Sequence, residues 1–212
     1  MILITFDDYR PLVFEGLGTT VLITVLSLIL GTLLGGVIYV MSMNRRRWMR
    51  EFSKGYRYIV RGMPLMVLLL FFFFAVLAGN YGILAAVLAF SINFSNFAYA
   101  IIQSSFDAVG KEQMKAARAL GFTHLQSLRY VIVPQAFRIA TPSYKFQAVS
   151  MLKGTAVVGY VSILDITQVA QIIRAGTGEL LLPLIDVTII YFILAWLLCK
   201  LIDKIVHYAK RI

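Results

Sequence analysis

The distribution of charge along the chain constrains its fold more than any other feature. No Asp, Glu, Lys or Arg occurs between Leu17 and Asn44, and none between Gly62 and Phe106. A helix crossing the hydrocarbon core of a bilayer needs about 20 mostly apolar residues. In lipid the backbone must satisfy its own hydrogen bonds, which makes helices the natural form for such runs. The first run makes one span. The second is too long for a single crossing, and the turn chemistry of Gly79-Asn80-Tyr81-Gly82 divides it in two. Further apolar segments run from Phe146 to Leu164, interrupted by Lys153, and from Pro183 to Ile202, with Asp186 near the start. The pattern predicts an all-α polytopic membrane protein with five transmembrane helices. Composition agrees: 60% of residues are hydrophobic and the mean hydropathy is +0.83, whereas soluble domains hold roughly 45–50% apolar residues.

Basic residues set the expected orientation. Arg45, Arg46, Arg47, Arg50, Lys54, Arg57 and Arg61 lie between the first two spans. Lys111, Lys115, Arg118, Arg129, Arg138 and Lys145 lie between the third and fourth, and Lys204, Lys210 and Arg211 follow the fifth. On the other side stand Arg10 and Arg174. By the positive-inside rule the N-terminus is outside and the C-terminus cytoplasmic. The chain then divides into an extracytoplasmic leader (1–16), a membrane domain (17–206) and a cytoplasmic tail (207–212). The net charge of +10 is accounted for by topology, so membrane lipid is expected as a partner and nucleic acid is not. The leader carries Asp7, Asp8 and Glu15 beside Arg10, unlike the basic start of a cleavable signal peptide, so the first span reads as a retained helix.

The single cysteine, Cys199, excludes an internal disulfide and a cysteine metal site. His124 and His207 have no ligand-spaced neighbours and read as surface residues. No metal or catalytic site is expected: the spans hold no paired carboxylates and no nucleophile–base arrangement. Ser27, Gly31 and Gly35 recur at four-residue spacing in the first span. Small residues so spaced let helices approach closely, predicting a packing seam within the subunit, with a seam between subunits as the alternative.

The cytoplasmic segment 107–143 is long for a loop, and loops of that length usually have a task. Lys111 to Leu120 is rich in helix formers, Gly121 suits a helix C-cap, and Thr123 can cap a second helix through His124 to Tyr130. Pro134 and Pro142 then punctuate the return to the membrane. Helix, glycine break and second helix make a rigid knob, a docking surface for a cytoplasmic partner.

Lys115-Ala116-Ala117-Arg118-Ala119-Leu120-Gly121, followed by Val131-Ile132-Val133-Pro134-Gln135-Ala136, resembles the "EAA" loop of ATP-binding-cassette (ABC) importer permeases. Arg61-Gly62-Met63-Pro64-Leu65 and Ser150-Met151-Leu152-Lys153-Gly154-Thr155 resemble motifs of the polar amino-acid uptake branch, similar to histidine and glutamine permeases. The resemblance covers about residues 12 to 210 in order, and implies a type I ABC importer transmembrane domain. It implies further that Lys115, Ala116, Ala117, Leu120, Gly121, Phe122 and Pro134 form the loop that couples to a separate ABC ATPase. A second permease subunit, identical or not, and an extracytoplasmic substrate-binding protein complete the implied assembly. The chain has no G-x-x-x-x-G-K-[ST] sequence, since Gly110-Lys111 is followed by Glu112. ATP and Mg therefore belong to the partner ATPase, this chain binds no cofactor, and it is not itself an enzyme.

Lys115 stands where the family has Glu, Gly110 where relatives usually have Pro, and Gly154 where they have Asp. Ala100 and Gln103 occupy positions that often hold Glu and Arg. A charge inside a span is costly and marks a functional hypothesis; Lys153 reads either as a pathway residue or as half of an ion pair with Asp186. Gln147 and Ser150 share an arc with Ser143 and Gly154 beside Lys153, while Ser91, Ser95, Asn96, Tyr99 and Gln103 form a second stripe. Such stripes line a translocation pathway for a small polar solute, or else hydrogen-bond between helices. Lys153, Gln147, Ser150, Tyr99 and Gln103 are the pathway candidates. Phe71 to Phe74 reads as lipid-facing or core, and 162–182 as a short amphipathic outer helix that, in relatives, abuts the pathway mouth and the binding protein. A secondary carrier or channel is the alternative class. It would need a filter, or intramembrane acids for which Asp186 is the candidate.

Overall fold

The computed structural model describes residues 2–209, and side-chain surroundings from residue 9 to residue 207. Lys210 and Arg211, and the side chains of Asp7 and Asp8, lie outside the described residues. Within them the fold is wholly helical. Helix α1 spans Ile2–Ser42, α2 Arg47–Gly62, α3 Leu65–Leu70, α4 Gly82–Val109 and α5 Lys111–Ala119. Then come α6 (His124–Ser127), α7 (Val133–Gly154), α8 (Ile166–Thr177) and α9 (Leu182–Ala209).

Three helical stretches are long and apolar enough to cross a membrane: Tyr9–Ser42, Gly82–Val109 and Leu182–His207. Two bent pairs bring the candidate spans to five: Arg47–Gly62 with Leu65–Val76, bent by 104°, and His124–Val161 with Ile166–Thr177, bent by 53°. Helix α1 continues through the segment read as a leader. Its 41 residues would extend about 60 Å at 1.5 Å per residue, roughly twice the hydrocarbon thickness. The turn expected at residues 79–82 is present: Ala78 and Gly79 adopt positive φ and α4 starts at Gly82.

The most extensive pairing joins α1 to α4, along the seam of small residues. A Cβ on Gly31 would meet the Ser91 carbonyl oxygen at 2.8 Å, and one on Gly35 the Ser95 carbonyl oxygen at 2.6 Å. Ser27 Oγ donates to the Val87 carbonyl across the same interface at 3.3 Å. The seam lies inside the subunit, as the preferred sequence reading has it. The core beside it gathers Ile23, Leu69, Phe90, Phe94, Met151 and Val158 from five elements. Of the phenylalanine run, Phe72 and Phe73 pack on this core while Phe71 and Phe74 stay exposed, in a π-helical continuation of α3 over Phe71–Val76.

Helix α7 begins earlier than the apolar pattern suggests, at Val133 rather than near Phe146. Pro134 sits in its first turn, where a missing N–H costs least. The preceding Leu128–Ile132 is π-helical, so the chain passes from α6 to α7 without leaving helical geometry. Both prolines thus lie within the returning helix. Beyond α7 the chain tightens into a 3-10 helix, Thr155–Val161, and turns at Ser162, which has φ 56°. Asp165, fully buried, caps α8 by accepting from the Thr167 and Gln168 amides at 3.1 and 2.9 Å. The Tyr191 hydroxyl of α9 donates to the same carboxylate at 3.3 Å, and Thr20 Oγ1 of α1 accepts from the Ile166 amide at 3.2 Å. One corner therefore ties three helices together.

Candidate functional site: the polar edge of α7 and its attached knob

The knob is assembled by local rules. Helix α5 ends at Ala119, and Gly121 just beyond it has a φ of 90°, a left-handed conformation that only glycine takes without strain. The Gly121 amide donates to Arg118 O at 3.0 Å and the Phe122 amide to Ala117 O at 3.2 Å, the paired bonds of a Schellman cap. Thr123 and Gln126 then form a reciprocal capping box on α6: Thr123 Oγ1 accepts from the Gln126 amide at 3.3 Å, and Gln126 Oε1 from the Thr123 amide at 2.8 Å. The helix expected to run to Tyr130 is α only to Ser127 and π thereafter.

A small cluster anchors the knob's base: Val109, Ile132 and Ala136 are buried, with Phe106, Met114, Leu128 and Val131 packed on them. Of the alanine pair, Ala117 turns into the knob and Ala116 out. Lys115 is exposed and pairs with Glu112 at 2.8 Å. Leu120, Phe122 and Leu125 present bare apolar side chains at the tip, Leu120 being 79% and Leu125 72% exposed. Gly121 lies among them, while Pro134 is exposed beyond the base.

Above the knob, α4 and α7 pack side by side and leave an open cleft of about 380 Å³ between Phe97, Ala100 and Ile101 on one side and Pro142, Ser143, Phe146 and Gln147 on the other. Gln103 is exposed one turn from Ala100 toward the knob. Ser150 and Lys153 are exposed one and two turns beyond Gln147 in the other direction. Of the five pathway candidates, Gln147 lines this cleft, while Gln103, Ser150 and Lys153 are exposed on the same two helices. Lys153 forms no ion pair with Asp186 among the described residues. Asp186 instead lines a separate cavity of about 180 Å³ with Tyr9, Ile166, Glu179 and others from α1, α8 and α9. Gly154 faces inward, where an added Cβ would stand 3.7 Å from Leu65 and Phe90.

Tyr99, the fifth candidate, does not join them. It is buried, with the Arg57 guanidinium 4.2 Å above its ring and Tyr39 packed edge-on at 5.9 Å. The attraction between a cation and an aromatic face, supplied by a helix distant in sequence, holds it inward. Ser91 and Ser95 are likewise committed: Ser91 Oγ donates to Val87 O at 2.5 Å, and Ser95 Oγ meets the Tyr56 hydroxyl at 2.7 Å. Ser95 thus bonds between helices, while Ser91 bonds within α4. Arg57 itself was missed by the sequence reading, which counted it as topological charge. Its spacing from the buried Ser53 and Val60 was the available signal.

Comparison with known proteins accords with this geometry. The model of the family described as binding-protein-dependent transport system inner membrane component matches residues 27–211. The chain is 31% identical to the L-cystine transport system permease protein TcyB of Bacillus subtilis (strain 168), over 97% of this chain and 88% of that protein. It is 28% identical to the putative glutamine transport system permease protein GlnP of Rickettsia conorii (strain ATCC VR-613 / Malish 7), over 95% of this chain and 96% of that one. A crystal structure of an amino acid ABC transporter with histidines superposes with a TM-score of 0.84 and 32% identity, covering 97% of each chain. A membrane-embedded protein with the fold of an ABC importer transmembrane domain, the chain belongs to the binding-protein-dependent transport system inner membrane component family.

Proposed function

We propose that this chain is the permease subunit of an ABC importer that carries an amino acid across the bacterial cytoplasmic membrane. One observation carries the reading. The polar edge of α7, with Gln147, Ser150 and Lys153, continues without a non-helical break back to His124 in the knob's second helix, where Leu125 stands exposed. In this reading a second permease subunit faces that edge, and the two enclose the pathway, with Gln103 contributing from α4. Lys153 supplies a cation for the carboxylate that every amino acid carries, and the relatives' names favour an amino acid as cargo. A separate ATPase chain seats the knob around Lys115, Ala116, Ala117, Leu120, Gly121 and Phe122. Pro134 sets the start of the helix that leads from the knob to the pathway. The chain crosses five times with its N-terminus outside, and a substrate-binding protein delivers the solute to the outer face. Alternating access by rocking of packed helical units is the general transporter pattern.

Leu120→Glu tests the reading, because it changes an exposed tip residue and no packing. The tagged chain should lose its co-purifying ATPase and its solute-stimulated ATP hydrolysis while still inserting in the membrane. An ATPase that stays bound and stimulated in this variant would remove the knob from the coupling role.

A further inference from the structure

Helix α2 presents three separate sectors at 3.6 residues per turn. The first faces the protein. Ser53 and Val60 are buried, Ser53 Oγ donates to the Ile38 carbonyl at 3.1 Å, and Tyr56 and Arg57 engage Ser95 and Tyr99 of α4. The second is apolar and bare: Trp48, Phe52 and Ile59 are 60%, 54% and 57% exposed. The third, nearly opposite the apolar one, carries Arg47, Arg50, Lys54 and Arg61, all exposed. Glu51 is the acid of this helix and pairs with Lys54 at 3.0 Å. Arg50 Nη1 donates to the carbonyls of Asn44 and Arg45 at 3.3 Å each, so it fixes the corner leading out of α1.

The 104° bend at Met63-Pro64 sets α2 almost perpendicular to the apolar helix that follows. If Leu65–Val76 enters the bilayer, α2 lies along its surface. An aqueous position would leave Trp48, Phe52 and Ile59 in water beside four cations. A fully buried one would strip water from those cations at heavy cost. A helix with aromatic residues on one face and Lys and Arg on the other satisfies both faces at the interface.

We propose that α2 lies in the plane of the bilayer surface and holds anionic phospholipid, its apolar sector among the upper acyl chains and Arg47, Lys54 and Arg61 on the phosphates and acidic headgroups. A free anion would satisfy the cations but leave the apolar sector uncovered, which is why the occupant is a lipid. Arg57, stacked on Tyr99, places this lipid site one side chain away from the interior of α4. The inference rests on the membrane-embedded reading of the chain.

The two tryptophans, Trp48 and Trp196, allow a direct test in the full chain reconstituted in vesicles. A Trp196→Phe chain reports on α2 alone, and a Trp48→Phe chain on the middle of α9. Trp48 fluorescence should be quenched more by lipids brominated near the headgroup than by lipids brominated deep in the chain, and shielded from aqueous acrylamide. Brominated phosphatidylglycerol should quench it as though enriched about fivefold over brominated phosphatidylcholine, the attraction expected of roughly one surface Lys or Arg. That preference should disappear when Arg47, Lys54 and Arg61 are all changed to Gln, and survive when Arg47 and Arg61 become Lys. Free access of acrylamide to Trp48, equal quenching by the two lipids, or a preference that persists in the Gln variant would each overturn the proposal. Deep quenching of Trp196 in the same vesicles marks the chain as spanning; its absence would indict the membrane reading rather than the lipid site.

Discussion

Helices α4 and α9 have the same length, 28 residues each, and opposite fates. The most apolar window of α4 has a mean hydropathy of 1.6 and is 56% buried inside the subunit; that of α9 reaches 2.2 and is 6% buried. The more apolar helix is the more exposed one. In water this would be inverted, but lipid chains are as apolar as leucine, so hydropathy does not drive one helix against another. Close approach does. Helix α4 offers Ala85, Ala86, Ala89, Ser91, Ser95 and Ala98 to its neighbours, while α9 displays Ile185, Ile189, Phe192, Trp196 and Leu201 outward.

Truncating matched side chains is the strongest way to break this contrast. Phe90→Ala on α4 empties a fully buried site and should destabilise the fold by about 4 kcal/mol. Phe192→Ala on α9, 73% exposed, should change it by less than about 0.5 kcal/mol. Denaturant titration in detergent measures both, and comparable losses would end the distinction. Next in size, Gly35→Val forces a Cβ toward the Ser95 carbonyl oxygen and Ala98 Cβ, at 2.6 and 2.7 Å, and should cost about 2–3 kcal/mol. Gly36→Val, one residue along with open space around it, is its control and should leave the transition unmoved.

Helix α9 has its own tether, the pair between Lys145 of α7 and Asp203 at 2.8 Å. Lys145→Met should shift the unfolding midpoint less than Gly35→Val does and sharpen the view of α9 as loosely held. A much larger loss in the same titration would contradict it. Ser27→Ala removes one interhelical hydrogen bond, worth about 0.6 kcal/mol in membranes. A double variant with Gly35→Val should then show coupling across the seam.

Much of this architecture could be read from residues alone because its causes are local. Charge-free runs mark helices, Gly79 and Gly121 mark turns that need positive φ, and Thr123 marks the start of a helix. The seam of Ser27, Gly31 and Gly35 was legible too, being a periodicity within one helix. Tyr99 was not, because its orientation depends on Arg57, 42 positions away (from 57 to 99), reaching it across a packed interface. The helix α2 was hidden for a related reason. Its basic residues signal topology so strongly that the spacing of Trp48, Phe52 and Ile59 against Ser53 and Val60 passes unnoticed. The early start of α7 was masked by Pro134 and Pro142, which read as breaks until a helical turn is known to precede them. Lys153 stands out in sequence as a charge in an apolar run, but its lack of an ion pair with Asp186 is a matter of which face each helix turns, and sequence does not give that.

The unbroken helical path from His124 to Val161 has a mechanical consequence. Helices resist bending and stretching far more than loops do, so a sideways load on Leu125 would pass along α7 as a tilt instead of being absorbed as slack. The stiff run ends where the 3-10 turn and Ser162 meet the buried Asp165 corner, which ties three helices together. The run is thus held at two places, at the Val109, Ile132 and Ala136 cluster and at the Asp165 corner, and the polar edge lies on the stiff stretch between these two supports.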